Sequence, residues 1–134
     1  MPAQITIALD RVSPFTSEAA IRRHRVLIDR PSEKGGTDNG PMGGELFLAS
    51  LGGCFMSNLL AAAAAREANL DGVRTQVIGT LADSPPSRFA AVELQVSAAT
   101  EDRELLEKLV QIAEHGCIMV NTLKGTLDLR IRIV

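Results

Sequence analysis

From Leu46 to Ala65 the chain carries no charged residue, and this run limits what it can fold into. A stretch of that length meets the requirement for a membrane span, which is roughly 20 apolar residues. Its make-up argues otherwise. Ser50, Gly52, Gly53, Ser57 and Asn58 interrupt it, and much of the rest is Ala, which contributes little to insertion into lipid. No basic cluster or aromatic belt flanks it. The run therefore reads as the central buried helix of a folded domain, starting near Gly43 and continuing to about Asn69. Along it, Ala49, Gly53, Ser57, Ala61 and Ala65 recur every fourth residue, with Ser50, Cys54, Asn58 and Ala62 beside them. Residues spaced by four share a helix side, so that side lacks bulk and another backbone can approach it closely. Leu48, Leu51, Phe55 and Leu59 give the opposite side its bulk.

Such a helix needs covering on nearly every side, and the rest of the chain supplies little cover. The 134 residues make one domain, 1–134, with one core. A homodimer in which two such helices or their sheets cover each other is the expected solution. Net charge is -2, and aromatic residues make up 3% with neither Trp nor Tyr. That composition argues against a nucleic-acid binder, which needs a basic surplus and stacking faces.

Around the helix the pattern alternates strands and helices. Gln4 to Leu9 and His24 to Ile28 alternate as strands, with Ser13 to Ala20 as a connection and His24 turned partly inward. The Gly- and Pro-rich stretch Pro31 to Gly44 leads into the helix. Val73 to Leu81 and Phe89 to Ser97 form the next strand pair. Thr100 caps a second helix whose apolar stripe is Leu105, Leu106, Leu109, Val110, Ile112 and Ala113, ending at Gly116. After a short loop, Thr126 to Val134 alternates as the last strand. The order β-β-α-β-β-α-β, with strands in pairs, gives an α+β fold with a mostly antiparallel sheet.

Two cysteines, Cys54 and Cys117, are too few for a disulfide scaffold. Met1 to Asp10 lacks the basic-then-apolar pattern of a secretory leader, so a cytoplasmic location with both thiols reduced is expected. In that compartment two thiols are buried filler, half of a metal site or redox chemistry. Two Cys and two His show no zinc spacing, so no metal is expected. Lys34-Gly35-Gly36-Thr37 lacks the order of a phosphate-binding loop. Cys54 lies about three turns into its helix, away from the N-terminal dipole, so lowering its pKa requires nearby charges or donors. Glu45, nine residues earlier, sits on nearly the opposite azimuth and suits the first helical turn as a negative charge. Cys117, at a loop edge beside Gly116, is placed where a thiol can move.

Pro41-Met42-Gly43-Gly44-Glu45-Leu46-Phe47-Leu48-Ala49-Ser50-Leu51-Gly52-Gly53-Cys54 resembles the helix-start signature of the OsmC/Ohr family (osmotically inducible protein C and organic hydroperoxide resistance proteins). Cys117-Ile118-Met119-Val120-Asn121-Thr122-Leu123 resembles that family's C-P-V-x-x-T-L stretch. The resemblance spans essentially the whole chain. It implies an OsmC-like, intertwined homodimer with a thiol peroxidase site near the interface. Cys54 is then the peroxidatic thiolate, Cys117 the resolving thiol, an organic or lipid hydroperoxide the substrate, and a dithiol such as dihydrolipoamide or a lipoylated protein the reductant. No cofactor, membrane or nucleic acid is implied.

The peroxidase branch also pairs its reactive Cys with an Arg and a Glu. Arg11 is the best-placed match for the Arg, with Arg22, Arg23, Arg25 and Arg30 as alternatives. Glu45 is the match for the Glu and stands one residue closer to the Cys than in that branch. Ile118 stands where the family has Pro. These departures bring the chain nearer the OsmC-like branch than the well-defined peroxidases. Two other readings stand beside the enzyme: a non-catalytic dimer that binds an apolar small molecule, and a thiol redox sensor.

Overall fold

The computed structural model describes residues 2–134. The chain falls into two compact units, the first ending at Phe47 and the second spanning Leu48–Val134.

The first unit is a three-stranded antiparallel meander: β1 (Ala8–Arg11), β2 (Ser17–Ile21) and β3 (His24–Ile28). β1 starts later than the alternation of Ile5 and Ile7 suggested. Both of those side chains are exposed, as is Leu9. β2 occupies what read as a connection. Its Ser-Glu-Ala-Ala-Ile sequence has no alternation, and the turn to β3 contains no Gly or Asn. Arg22 takes the left-handed conformation there, at φ 53°, a place usually given to those residues. His24 is exposed rather than turned inward.

The turn-rich stretch after β3 is organised by one buried carboxylate. Asp29 accepts hydrogen bonds from the Thr16 and Thr37 hydroxyls and from the backbone N–H groups of Arg30, Thr37 and Asn39. The Thr37 hydroxyl is the strongest of these influences. Together the donors overcome burial and hold the carboxyl well below the usual carboxylate range.

α1 (Gly43–Ala65) begins where expected and ends one turn early. Glu67 adopts φ 51°, the Ala68 N–H reaches back to the Ala63 carbonyl, and the Glu67 N–H reaches the Ala64 carbonyl. This is the Schellman arrangement, with Glu in the position usually held by Gly. By length and composition α1 could cross a membrane, yet Leu51, Phe55 and Leu59 are fully buried in this fold.

In the second unit, β4 (Arg74–Leu81) pairs antiparallel with β5 (Phe89–Ser97), and β5 pairs parallel with β6 (Asp128–Ile133). The parallel pair follows from the long helical crossover between those strands: α2 (Arg103–Gly116) and α3 (Ile118–Leu123). The sequence reading had no α3. The cap of α2 is Asp102 rather than Thr100; its carboxylate accepts the Leu105 N–H.

α1 lies along β4 in a fixed register. A Cβ on Gly79 would sit 3.0 Å from Leu48 Cδ2, and one on Gly52 would sit 2.7 Å from Val77 Cγ2. Thr75 Oγ1 donates to Met56 Sδ at 3.0 Å. Helix positions 48, 52 and 56 thus meet strand positions 79, 77 and 75. Four helix residues, rising about 6 Å, match two strand residues of about 6.6 Å. Under this contact lies the core: Leu51, Phe55 and Leu59 of α1, Val92, Leu94 and Val96 of β5, and Leu106, Leu109 and Ala113 of α2.

Candidate active site

The second unit brings the two cysteines together. Both are free thiols, Cys54 half-buried on α1 and Cys117 fully buried. The sequence placed Cys117 at a loose loop edge. It is instead the single residue joining two helices. It ends α2 through its N–H to the Glu114 carbonyl at 3.3 Å, and with extended backbone, φ −81° and ψ 113°, it starts α3. Its sulfur accepts the Val120 N–H at 3.5 Å, the place a Ser or Asp oxygen holds in an ordinary helix cap.

A helix start leaves its first N–H groups without partners inside the helix. In α3 that of Val120 ends on the Cys117 sulfur. The backbone N–H groups of Met119 and Ile118 and the Cys117 thiol lie near the Cys54 sulfur and favour its ionised form. Burial pushes the Cys54 thiol up, but these three donors outweigh it, and its pKa is lowered. Cys117 moves the other way. Burial raises it, the Val120 N–H opposes, and the hydrogen bond and like charge of Cys54 raise it further. The two directions are opposite: Cys54 is the thiol favoured to ionise and Cys117 the one favoured to keep its proton.

Asn58, one turn after Cys54, also faces the pair. Its Nδ2 donates to the Cys54 carbonyl at 2.9 Å and lies 3.9 Å from Cys54 Sγ.

Arg11 and Glu45 belong to the first unit, and each is engaged with its own surroundings. The Arg11 guanidinium donates to the carbonyls of Ser13 at 3.2 Å and Pro14 at 3.4 Å. Glu45 Oε1 accepts the Met42 N–H at 2.9 Å, the first-turn role expected of it. Of the alternative arginines, Arg25 pairs with Glu18 at 3.5 Å, and Arg22, Arg23 and Arg30 are exposed. Among the described residues no group of three His, Cys, Asp or Glu side chains is placed to hold a metal ion.

The donors to Cys54 escaped the sequence reading because two of them are backbone groups. Ile118 was the visible sign. A Pro there has no N–H, so the replacement of Pro by Ile is what makes that donor available. Ile118→Pro tests this cleanly. Position 118 is the first of a helix, where Pro is well tolerated, and the extended Cys117 suits a following Pro. The variant is expected to fold like the parent and to shift the pH profile of Cys54 alkylation to higher pH. An unmoved profile counts against the Ile118 N–H as a determinant of thiol acidity.

A family model for OsmC-like proteins matches residues 36–132. No match was found among curated proteins by sequence. Solved structures with the same fold include an OsmC-like protein from Mycoplasma pneumoniae, at 16% identity and TM-score 0.81, covering 100% of this chain and 98% of that one. An organic hydroperoxide resistance protein OsmC from Legionella pneumophila aligns at 21% identity and TM-score 0.75, covering 98% of each chain. The organic hydroperoxide resistance protein OhrB of Bacillus subtilis aligns at 20% identity and TM-score 0.72, covering 98% of this chain and 100% of that one. At these identities the likeness is one of fold.

Proposed function

The chain belongs to the OsmC-like protein family, and from that footing we propose that it reduces organic hydroperoxides, with Cys54 as the peroxidatic thiolate and Cys117 as the resolving thiol. The observation that carries the reading is that the fold sets Cys54 of α1 against Cys117 at the junction of α2 and α3, with Asn58 reaching both segments. Two relatives of the same fold are named organic hydroperoxide resistance proteins, which supports the substrate class.

The chemistry follows from the order of ionisation. The Cys54 thiolate attacks the outer peroxide oxygen, the O–O bond breaks, and the alkoxide takes a proton and leaves as an alcohol. Cys54 is then a sulfenic acid. The Cys117 thiol attacks that sulfur, forms the S–S bond and releases water. A dithiol of the dihydrolipoamide type reduces the disulfide by exchange and is itself oxidised to a cyclic disulfide. The cycle starts from two free thiols, the state that the reducing, cytoplasmic location expected from the sequence would maintain. The family match takes in nearly all of the second unit and the last residues of the first; a single domain over 1–134 is part of the same proposal.

Arg11 and Glu45 enter only through the family resemblance, as the guanidinium and carboxylate that complete the site. Turnover of cumene hydroperoxide with dihydrolipoamide tests the reading. Steady consumption of both supports it, and no consumption above the protein-free rate rejects it. In the same assay, Arg11→Ala and Glu45→Ala with unchanged rates would remove both residues from the site.

The homodimer belongs to the same proposal. The small-residue row Ala49, Gly53, Ser57, Ala61 and Ala65 is exposed along α1, with Leu60 beside it. An apolar helix face of that length needs a cover, and a second copy of the same face is the simplest one. Sedimentation equilibrium at twice the chain mass is the expected result; the mass of one chain overturns it.

A further inference from the structure

Asn58 sits between the two thiol-bearing segments, its Nδ2 toward Cys54 and its Oδ1 toward Gly116. Nδ2 has two hydrogens. It donates to the Cys54 carbonyl at 2.9 Å and lies 3.9 Å from Cys54 Sγ. Oδ1 lies against the end of α2, where a Cβ on Gly116 would stand 2.9 Å away. Gly116 immediately precedes Cys117, and its φ is not left-handed. Its missing side chain is therefore needed for space and not for backbone freedom. Real Cβ atoms essentially never come that close to a neighbour, so any larger residue at 116 must displace either the amide or the segment that carries Cys117.

We infer that Asn58 is a latch for the peroxidatic sulfur: its amide holds Cys54 Sγ on the α1 side, and Gly116 is the positioning residue that lets the amide seat against the Cys117 segment. The inference rests on the proposed reactivity of Cys54 for its significance in catalysis, but not for its geometry. An amide N–H stabilises the thiolate more than the neutral thiol, because the ionised sulfur is the stronger acceptor. It also fixes the direction in which Sγ projects from α1, and with it the approach of the Cys117 sulfur. The titratable group set against Cys54 from the α2–α3 segment is Cys117 itself, so it stays in place in every variant.

The test is iodoacetamide alkylation of Cys54 across pH, followed by peptide mass, in the full chain. In Asn58→Ala the reaction at neutral pH is expected to slow several-fold, with the inflection moved to higher pH. Asn58→Asp replaces the donor with a like charge and is expected to raise the inflection by about one pH unit, roughly a tenfold loss of thiolate at neutral pH. Gly116→Ala is expected to move the profile in the same direction as Asn58→Ala and by less, because the added methyl pushes the same amide aside without removing it. The double variant Asn58→Ala/Gly116→Ala is expected to be no slower than Asn58→Ala alone, which is the signature of two residues acting through one contact. A wild-type profile in Asn58→Asp overturns the inference. So do a wild-type profile in Gly116→Ala and additive losses in the double variant. If Asn58→Asp does not fold, the Gly116 pair decides the matter by itself. Alkylation needs no peroxide, so the two readings fail separately. A protein inert to hydroperoxide that shows these shifts loses the peroxidase reading and keeps the latch. A protein that turns over hydroperoxide with Asn58 variants unchanged does the reverse.

Discussion

Cys54→Ser is expected to bring hydroperoxide consumption to the protein-free rate. The reason lies in the acidity of the atom. The three donors that gather on the Cys54 sulfur lower a thiol pKa, whereas a serine hydroxyl in the same cradle stays protonated across the neutral range and is no nucleophile toward a peroxide. Cys117→Ser is expected to separate the steps. Its serine oxygen cannot resolve the sulfenic acid, so one equivalent of hydroperoxide is consumed, one alcohol is formed, and Cys54 carries one added oxygen that a sulfenic-acid trap such as dimedone captures. Steady-state rates with cumene hydroperoxide and dihydrolipoamide, together with peptide mass, check both. Wild-type turnover in Cys54→Ser would remove that residue from the chemistry.

The second large effect is on stability. Phe55 is fully buried on the side of α1 that also carries Leu51 and Leu59. Phe55→Ala removes a ring from a site enclosed by core side chains, and such changes cost about 3–5 kcal/mol. Against a domain stability of roughly 5–15 kcal/mol this is a large share, and for a chain of this length it lowers the thermal midpoint by about 10–18 °C. Urea unfolding at equilibrium measures it directly. Cys54, one residue earlier, points to a different side of the helix. Below its lowered midpoint the variant is therefore expected to keep the pH profile of Cys54 alkylation. A loss under about 1 kcal/mol would contradict the placement of Phe55 in a close-packed core.

What the sequence made legible follows from where each signal is stored. Local periodicity is stored in the chain itself. The bulky row of α1, the bounds of β5 and the apolar stripe of α2 all stand where the sequence puts them, with Val92, Leu94 and Val96 the buried face of β5. Signals that depend on distant partners were not legible. The parallel pairing of β6 on β5 is set by the crossover between them, and alternation is the same in either direction. β2 was hidden because its turn uses Arg22 at positive φ, and α3 because six residues make too short a pattern and its cap is a thiol.

The candidate site divides in the same way. Its two sulfurs were visible as residue types, and Asn58 was visible in the row beside Cys54. Lowering the Cys54 pKa calls for a cation or donor, and in sequence the arginines are the visible candidates. Within the second unit the groups that lower it are instead the N–H groups of Met119 and Ile118 and the Cys117 thiol, and backbone groups leave almost no mark in sequence. The one mark they left was Ile118 at a position where the family has Pro, a departure that reads as a lost motif until its N–H is counted among the groups that lower the Cys54 pKa.

The central claim is that the two thiols form one reactive pair. Intact mass under non-reducing conditions, after one equivalent of cumene hydroperoxide, tests it most directly. The expected result is a monomer-mass species lighter by two hydrogen atoms, with Cys54 and Cys117 joined in a single peptide pair and the parent mass restored by dihydrolipoamide. An unchanged mass, or oxygen retained on Cys54 with Cys117 still alkylatable, would contradict it.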